Sequence, residues 1–238
     1  MHPIQTELRK KAQKEKALWA LRFFKTWPGE YGEWDTFLGV SVPDTRKIVT
    51  CFLLSTTFQD IEKLLSSEYH EERLAWLHTL VIFAKKKIYP IKELGEFYMR
   101  YVDHINNWDL VDTSAPDIIW PYLEESLSHE ERVLFIEKCI TSENLWIQRI
   151  IVIASFHQIK KWNEKLTFYL IPRFLNHPHD LMHKACGWML REVWKRVNEL
   201  VLIDFLNTYT LKMPRTMLRY AIERLDDEKR KYYMNLGK

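Results

Sequence analysis

The sequence predicts an all-α fold, and three observations carry that prediction. Nearly every long segment repeats its apolar residues at helical spacing. No segment alternates with period two for long enough to make a strand. Only six glycines occur in 238 residues, too few for a Gly-rich β architecture or a glycine loop that cradles phosphate.

Taken in order, residues 5–27 begin with a charged half and continue with Ala17, Leu18, Leu21, Phe24 and Trp27 at helical spacing. Pro28-Gly29-Glu30-Tyr31-Gly32 is a turn. Phe37 to Arg46 is a loop leading into a helix, with Ser41 or Val42 near the cap. Pro43 falls in the first turn, where a missing N–H costs no hydrogen bond. Helical patterns follow at 43–54, 57–66, 69–86, 90–104, 115–125, 129–140, 142–157, 162–175, 178–195, 198–208 and 213–235. These segments pair as hairpins of roughly thirty-five to forty-five residues, the spacing of HEAT-like or armadillo-like repeats. Each hairpin buries one face on its neighbours, giving an α-solenoid with a concave surface. A plain helical bundle is the alternative. No linker or low-complexity tract interrupts the chain, so residues 1–238 are expected to form one domain.

Composition narrows the function classes. Hydrophobic residues make up 47% and charged residues 28%, as in an ordinary soluble globular protein. Ten tryptophans are many, and an indole N–H needs a partner when buried, so some rings are expected half exposed on a working surface. The net charge of +3 is mildly basic and bears on nucleic acid only if the cations cluster. Cys51, Cys139 and Cys186 form an odd set with no C-x-x-C, which argues against a disulfide framework and a zinc site. Met1 to Glu7 lacks the apolar core of a signal peptide. No apolar run approaches the ~20 residues of a membrane span. The expectation is a cytoplasmic protein with reduced thiols and no membrane partner.

The chemistry-bearing stretch is Asn106-Asn107-Trp108-Asp109-Leu110-Val111-Asp112, just before the helix-breaking Thr113-Ser114-Ala115-Pro116. If it is helical, Trp108 and Asp112 share one face. A ring beside a carboxylate suits a reaction that builds positive charge, because both stabilise a cation. Trp146 with Arg149, and Trp188 with Arg191, repeat the theme of a tryptophan with an arginine three residues on. Each has a plainer reading. Asp112 before Thr-Ser-x-Pro also suits a helix cap, Asp109 and Asp117 a solvated or capping place, and the three tryptophans the core. Arg149 lies in the apolar run Ile147–Phe156, so it must be paired, with Asp112 or Glu143, or point into a charged groove. Arg191 beside Glu192 fits a surface pair within one helix. His177, His179 and His183 lie close together, but no Cys or acidic partner completes a metal set, so no metal is expected. Arg46, Lys47, Lys184, Arg191, Lys195, Arg196, Lys212, Arg215 and Arg219 recur near helix starts and in the last third. They either line one groove or are ordinary solvated faces. Helix starts at Pro43 and Pro214 add N–H groups suited to phosphates.

Four pieces of the chain, in order and in register, resemble the DNA alkylation-repair family of HEAT-repeat DNA glycosylases, the AlkD-like enzymes. They are Phe37 to Pro43, Asn107 to Asp112, Asn144 to Arg149, and Lys184 to Glu192, and the likeness extends over essentially the whole chain. The resemblance implies a helical stack that holds double-stranded DNA in a concave basic groove. It implies hydrolysis of the N-glycosidic bond of N3- or N7-alkylated purines such as 3-methyladenine and 7-methylguanine, the first step of base excision repair. On this resemblance Asp112 is the catalytic aspartate, Trp108 and Trp188 lie against the deoxyribose, and Arg149 binds the lesion phosphate or holds Asp112 ionised. Ser41, Arg46, Lys47, Lys184, Arg191, Arg215 and Arg219 would contact DNA. Ser41-Val42 stand where the best-known members carry two polar residues, which bears on contacts to the opposite strand more than on the chemistry. The family contains relatives that bind DNA without excision, and its enzymes are expected to contact sugar and backbone without a tight base pocket. No lysine stands in the Trp108–Asp112, Trp146–Arg149 or Gly187–Glu192 segments, so no Schiff-base step is expected. The expected enzyme is monofunctional, monomeric, without cofactors, and nucleoid-associated when bound to DNA.

Overall fold

The computed structural model describes residues 1–236, and those residues are helical with no β-strand beyond one isolated parallel bridge between Thr36 and Tyr69. The chain divides into two compact units, Met1–Ser114 and Ala115–Lys238. Among the described residues no helix is long and apolar enough to cross a membrane.

The first unit contains α1 (Pro3–Lys10), α2 (Lys14–Phe23), α3 (Val42–Phe52), α4 (Phe58–Leu65), α5 (His70–Lys86), α6 (Ile91–Arg100) and α7 (Trp108–Asp112). Its centre is α5, against which α1, α3, α4, α6 and α7 all pack. Almost the whole circumference of α5 is buried, including His70, Glu71, Glu72 and Arg73 in its first turn. Buried charges must be paired, and these are. Glu71 accepts the backbone N–H groups of Leu38, Gly39 and Val40 at 2.7–3.1 Å. Glu72 takes Gln5 at 2.8 Å and Arg9 at 2.7 Å. These bonds tie both α1 and the 37–40 loop to α5.

The second unit contains α8 (Ala115–Ser126), α9 (His129–Ile140), α10 (Leu145–Ala154), α11 (Phe156–Ile159), α12 (Lys165–Leu170), α13 (Asp180–Arg196), α14 (Glu199–Tyr209), α15 (Arg215–Ala221) and α16 (Asp227–Asn235). Here α13 is central, packed on α10, α14 and most extensively α15. Gly187 explains that closeness, because a Cβ there would stand 2.5 Å from the Met217 carbonyl oxygen and 2.5 Å from Tyr220 Cβ. Gly187→Ala is therefore expected to destabilise the protein by about 1–3 kcal/mol, despite alanine's better helix propensity. A thermal melt checks this, and an unchanged or raised Tm would contradict it.

Several expected helices are broken. The 5–27 segment is two helices, because Gln13 N–H leaves the helical ladder to bond the Leu38 carbonyl at 2.9 Å. Gly39 makes the docking feasible, since its φ is +78° and a Cβ would lie 2.2 Å from the Gln13 carbonyl oxygen. The 90–104 segment ends as α6 and a 3-10 turn, Val102–His104. The 142–157 segment divides at Ser155, whose buried hydroxyl bonds the Val152 carbonyl and the Thr167 hydroxyl. The 162–175 segment tightens into a 3-10 turn at Ile171–Phe174, and 213–235 splits into α15 and α16. At the start of α3 the expectation holds: Ser41 is the N-cap and Pro43 lies in the first turn.

Candidate functional site

The Trp108–Asp112 stretch does form a helix, α7, of five residues. A helix this short has no stability of its own, so tertiary bonds must hold it. Asn107 caps it, accepting the Trp108 N–H at 2.8 Å and donating to Asp35 Oδ2 at 3.1 Å. Asp109 Oδ1 accepts the Leu110 N–H at 2.9 Å. The Thr113 hydroxyl donates to the Asp109 carbonyl at 2.7 Å, and the buried Ser114 hydroxyl contacts Tyr98 OH at 2.9 Å. Thr113-Ser114 is thus a one-turn break, after which α8 begins directly.

The strongest anchor is His70, at the start of α5. Its Nδ1 donates to Asp35 and its Nε2 to Asp109, both at 2.8 Å, and Arg73 donates to Asp35 at 2.5 Å. All four side chains are largely sequestered, with His70 only 2% exposed. Asp109 is therefore neither solvated nor simply a cap, contrary to the sequence expectation. It is half of a buried carboxylate–imidazolium pair. Burial opposes charge on His70, but Asp109 and Asp35 outweigh it and raise the imidazole from its usual 6.5 to about 10. Burial likewise pushes Asp35 upward, yet His70 and Arg73 hold it below the usual carboxylate range. Two anions and two cations leave the cluster neutral, which is what makes its burial tolerable.

The sign of the pH dependence follows. A raised histidine contributes its stability fully below its unfolded value near 6.5 and loses it as pH rises through about 10. The depressed Asp35 contributes above its unfolded range and loses that only in strong acid. The Tm difference between wild type and His70→Gln is expected to be largest near pH 6 and to shrink toward pH 10. A constant difference across that range would contradict a charged His70.

Trp108 and Asp112, four residues apart on α7, are both half-buried. The Trp108 ring stacks on Phe24 at 5.4 Å and meets Phe23 edge-on at 5.8 Å. It forms one wall of a cleft of about 460 Å³ whose other walls come from α2, the 37–42 loop and the start of α5. Ser41 and Val42, the residues expected at the opposite strand, border the same cleft. The Ser41 hydroxyl is already engaged, donating to Asp44 Oδ2 at 2.6 Å and accepting the Asp44 N–H. Arg46 and Lys47 are exposed one turn further along α3.

In the second unit, Trp188 is half-buried on α13, with its indole N–H 3.3 Å from Glu192 Oε1 and its ring 6.1 Å from Phe156. Glu192 also takes Arg196 at 2.8 Å. Arg191 consequently does not pair with Glu192, as its position in sequence implied; it reaches across to Glu223 on the segment after α15. Arg149 is 4% exposed and donates to the Leu181 carbonyl at 2.5 Å. Trp146 is half-buried next to Asn144, which caps α10. Lys184 pairs with Asp180 at 2.7 Å, and Asp117 with Lys160 at 3.1 Å. Arg215 and Arg219 are exposed on α15. The three histidines have separate duties: His177 contacts Gln148 at 2.8 Å, His179 caps α13, and His183 bonds the His177 carbonyl at 2.6 Å. Among the described residues no three His, Cys, Asp or Glu side chains are grouped to hold a metal ion.

The residues missed by sequence reasoning are His70, Asp35 and Arg73. Their separations of 35 and 38 positions hide the cluster. One signal was present: His70-Glu71-Glu72-Arg73 sets charge on every side of the first turn of a largely apolar helix, so any of these groups that turns inward must find a partner.

The fold is all-helical with a pinned Trp-x-x-x-Asp helix in its first unit, and comparison with known proteins gives its family. The DNA alkylation repair enzyme family model matches residues 4–225, so the chain belongs to that family. The structure is similar to a solved protein described as a predicted DNA alkylation repair enzyme from Enterococcus faecalis. The TM-score is 0.72 at 18% identity, over 91% of this chain and 97% of that one. At that identity the likeness speaks for the fold. No curated protein matches the sequence.

Proposed function

We propose that this protein is a monofunctional DNA glycosylase that hydrolyses the N-glycosidic bond of N3- and N7-alkylated purines in double-stranded DNA. The observation that carries the reading is α7: a five-residue helix held by a buried ionic cluster, presenting Trp108 and Asp112 from one face. Such rigidity is what transition-state stabilisation requires, because the charges must be in place before the reaction begins.

Alkylation at N3 or N7 makes the purine cationic and already a good leaving group, so no general acid is needed. As the bond breaks, the deoxyribose gains oxocarbenium character. Asp112 stabilises that cation and positions the attacking water. Trp108 offers an electron-rich face to the sugar's polarised C–H groups, and the same role for Trp188 is carried over from the family resemblance. Arg149, buried and held at the Leu181 carbonyl, takes a positioning role rather than lying open to a phosphate. Arg46 and Lys47 in the first unit, and Arg215 and Arg219 in the second, are exposed and suited to backbone phosphates. Ser41, Lys184 and Arg191 contact DNA by exchanging their present partners. On this reading residues 1–238 act as one repair domain, as a monomer, in the cytoplasm and on the nucleoid.

The test is release of free 7-methylguanine from a duplex carrying a single such base. The expected outcome is release that leaves an alkali-labile abasic site, with no adduct trapped by borohydride. A non-excising DNA binder would hold the duplex and release nothing. Its log K would fall against log salt with a slope near −4.5 if about five phosphates are neutralised.

A further inference from the structure

Two tryptophans stand in backbone that tryptophan disfavours. Trp34 and Trp162 have φ of +70° and +58°, the left-handed region, where a Cβ crowds the following carbonyl oxygen. Burial does not offset this, because the two residues are 86% and 75% exposed. Trp162 occupies the turn that ends α11. The Asn163 N–H bonds the Gln158 carbonyl at 3.1 Å and the Trp162 N–H bonds the Ile159 carbonyl at 3.0 Å. This is the bond pair of a Schellman turn, whose left-handed residue is usually Gly or Asn. The indole thus contributes neither favourable backbone geometry nor buried packing, and its use lies outside the chain.

The surroundings of Trp162 narrow what it meets. Lys160, Lys161 and Lys165 flank it against the single acid Glu164. Lys161 is 58% exposed and pairs with Glu124 at 2.9 Å, a surface bridge weak enough to be exchanged for a phosphate. Lys160 fixes the turn to the body of its unit, with its ammonium 5.3 Å from the Phe156 ring centroid and 3.1 Å from Asp117. Phe156 in turn lies 5.0 Å from the Arg196 guanidinium and 6.1 Å from the Trp188 ring. The turn therefore adjoins the part of α13 that the proposed function faces toward DNA. Trp34, by contrast, lies between Glu33 and the buried Asp35, a setting that repels phosphate.

We infer that Trp162 is a DNA-backbone contact, its ring packing on a deoxyribose and the Lys161 ammonium meeting the adjacent phosphate. An indole brings a large apolar area at little cost in side-chain freedom. Sugar and phosphate contacts carry no sequence information, so this one serves damaged and undamaged duplex alike. The inference rests on the side of α13 that the proposed function turns toward DNA, and not on base excision itself.

The experiment is fluorescence anisotropy of the full chain with two labelled duplexes, one undamaged and one carrying a single tetrahydrofuran abasic site. Trp162→Gly is expected to weaken both by about tenfold. Its Tm should equal that of the wild type or exceed it by up to about 4 °C, because glycine suits the turn. Trp162→Asn should behave alike. Neither substitution removes charge, so the slope of log K against log salt should stay, whereas Lys161→Ala should make it shallower by about 0.9. Affinity untouched by Trp162→Gly would overturn the inference and leave the ring to a protein partner. A loss confined to the abasic duplex, an unchanged slope in Lys161→Ala, or a lowered Tm in both Trp162 variants would overturn it as well. Base release by a wild type whose affinity ignores the substitution removes Trp162 and keeps the glycosylase. Affinity lost with the ring, in a protein that releases no base, does the reverse.

Discussion

His70→Ala is expected to lower stability by about 3–5 kcal/mol, the usual result of removing one partner from a buried ion pair. For a protein of this length that corresponds to a fall in Tm of roughly 6–20 °C. Without the imidazolium, Asp35 and Asp109 are left buried, with Arg73 bonded only to the first. Asp109 would lose its charged partner, and α7 its strongest tie to α5. Because α7 carries Trp108 and Asp112, base release should fall even at temperatures where the chain remains folded. His70→Gln, which keeps polar atoms in place, should be milder on both counts. A His70→Ala protein with wild-type Tm would mean that the cluster is not the anchor its geometry describes.

Asp112→Asn is expected to reduce base release by about 10²- to 10³-fold, the range for removing one preorganised electrostatic stabiliser. Affinity for the lesion duplex should be retained, because the substituted group acts on charge that develops only in the transition state. The substitution also separates two roles that the sequence leaves open. Asparagine caps helices about as well as aspartate. If Asp112 serves only as a cap, the variant keeps both its Tm and its activity. If it stabilises the sugar cation, activity goes while Tm stays.

Much of the fold is legible in the chain because it depends on local periodicity. The all-α class, the cap at Ser41 or Val42 and the long helices α5 and α13 follow from spacing and from residues that cap or break helices, whereas the short helix at Trp108 was only a condition of the reading and falls outside the expected helical segments. The breaks inside expected helices are not local. Gln13 leaves its ladder because Leu38 and Gly39 dock there, and the periodicity of 5–27 holds no trace of that loop. The candidate site divides in the same way. The Trp108–Asp112 register was readable from a spacing of four. The support beneath it, His70 with Asp35 and Asp109, joins residues more than thirty positions apart. The plainer reading of Arg191, a pair with Glu192, went wrong for the same reason: Glu192 is its neighbour in sequence, but Glu223 is its neighbour in space.

The activity proposed for this member of the DNA alkylation repair family is base excision. The most direct test is a single-turnover time course, with protein in excess over a duplex containing one 7-methylguanine. Wild type and Asp112→Asn are compared at equal DNA occupancy. Free 7-methylguanine is expected from the wild type well above spontaneous loss, and at most about a hundredth of that rate from the variant. Equal rates from the two proteins, or none from either while the duplex is bound, would contradict it.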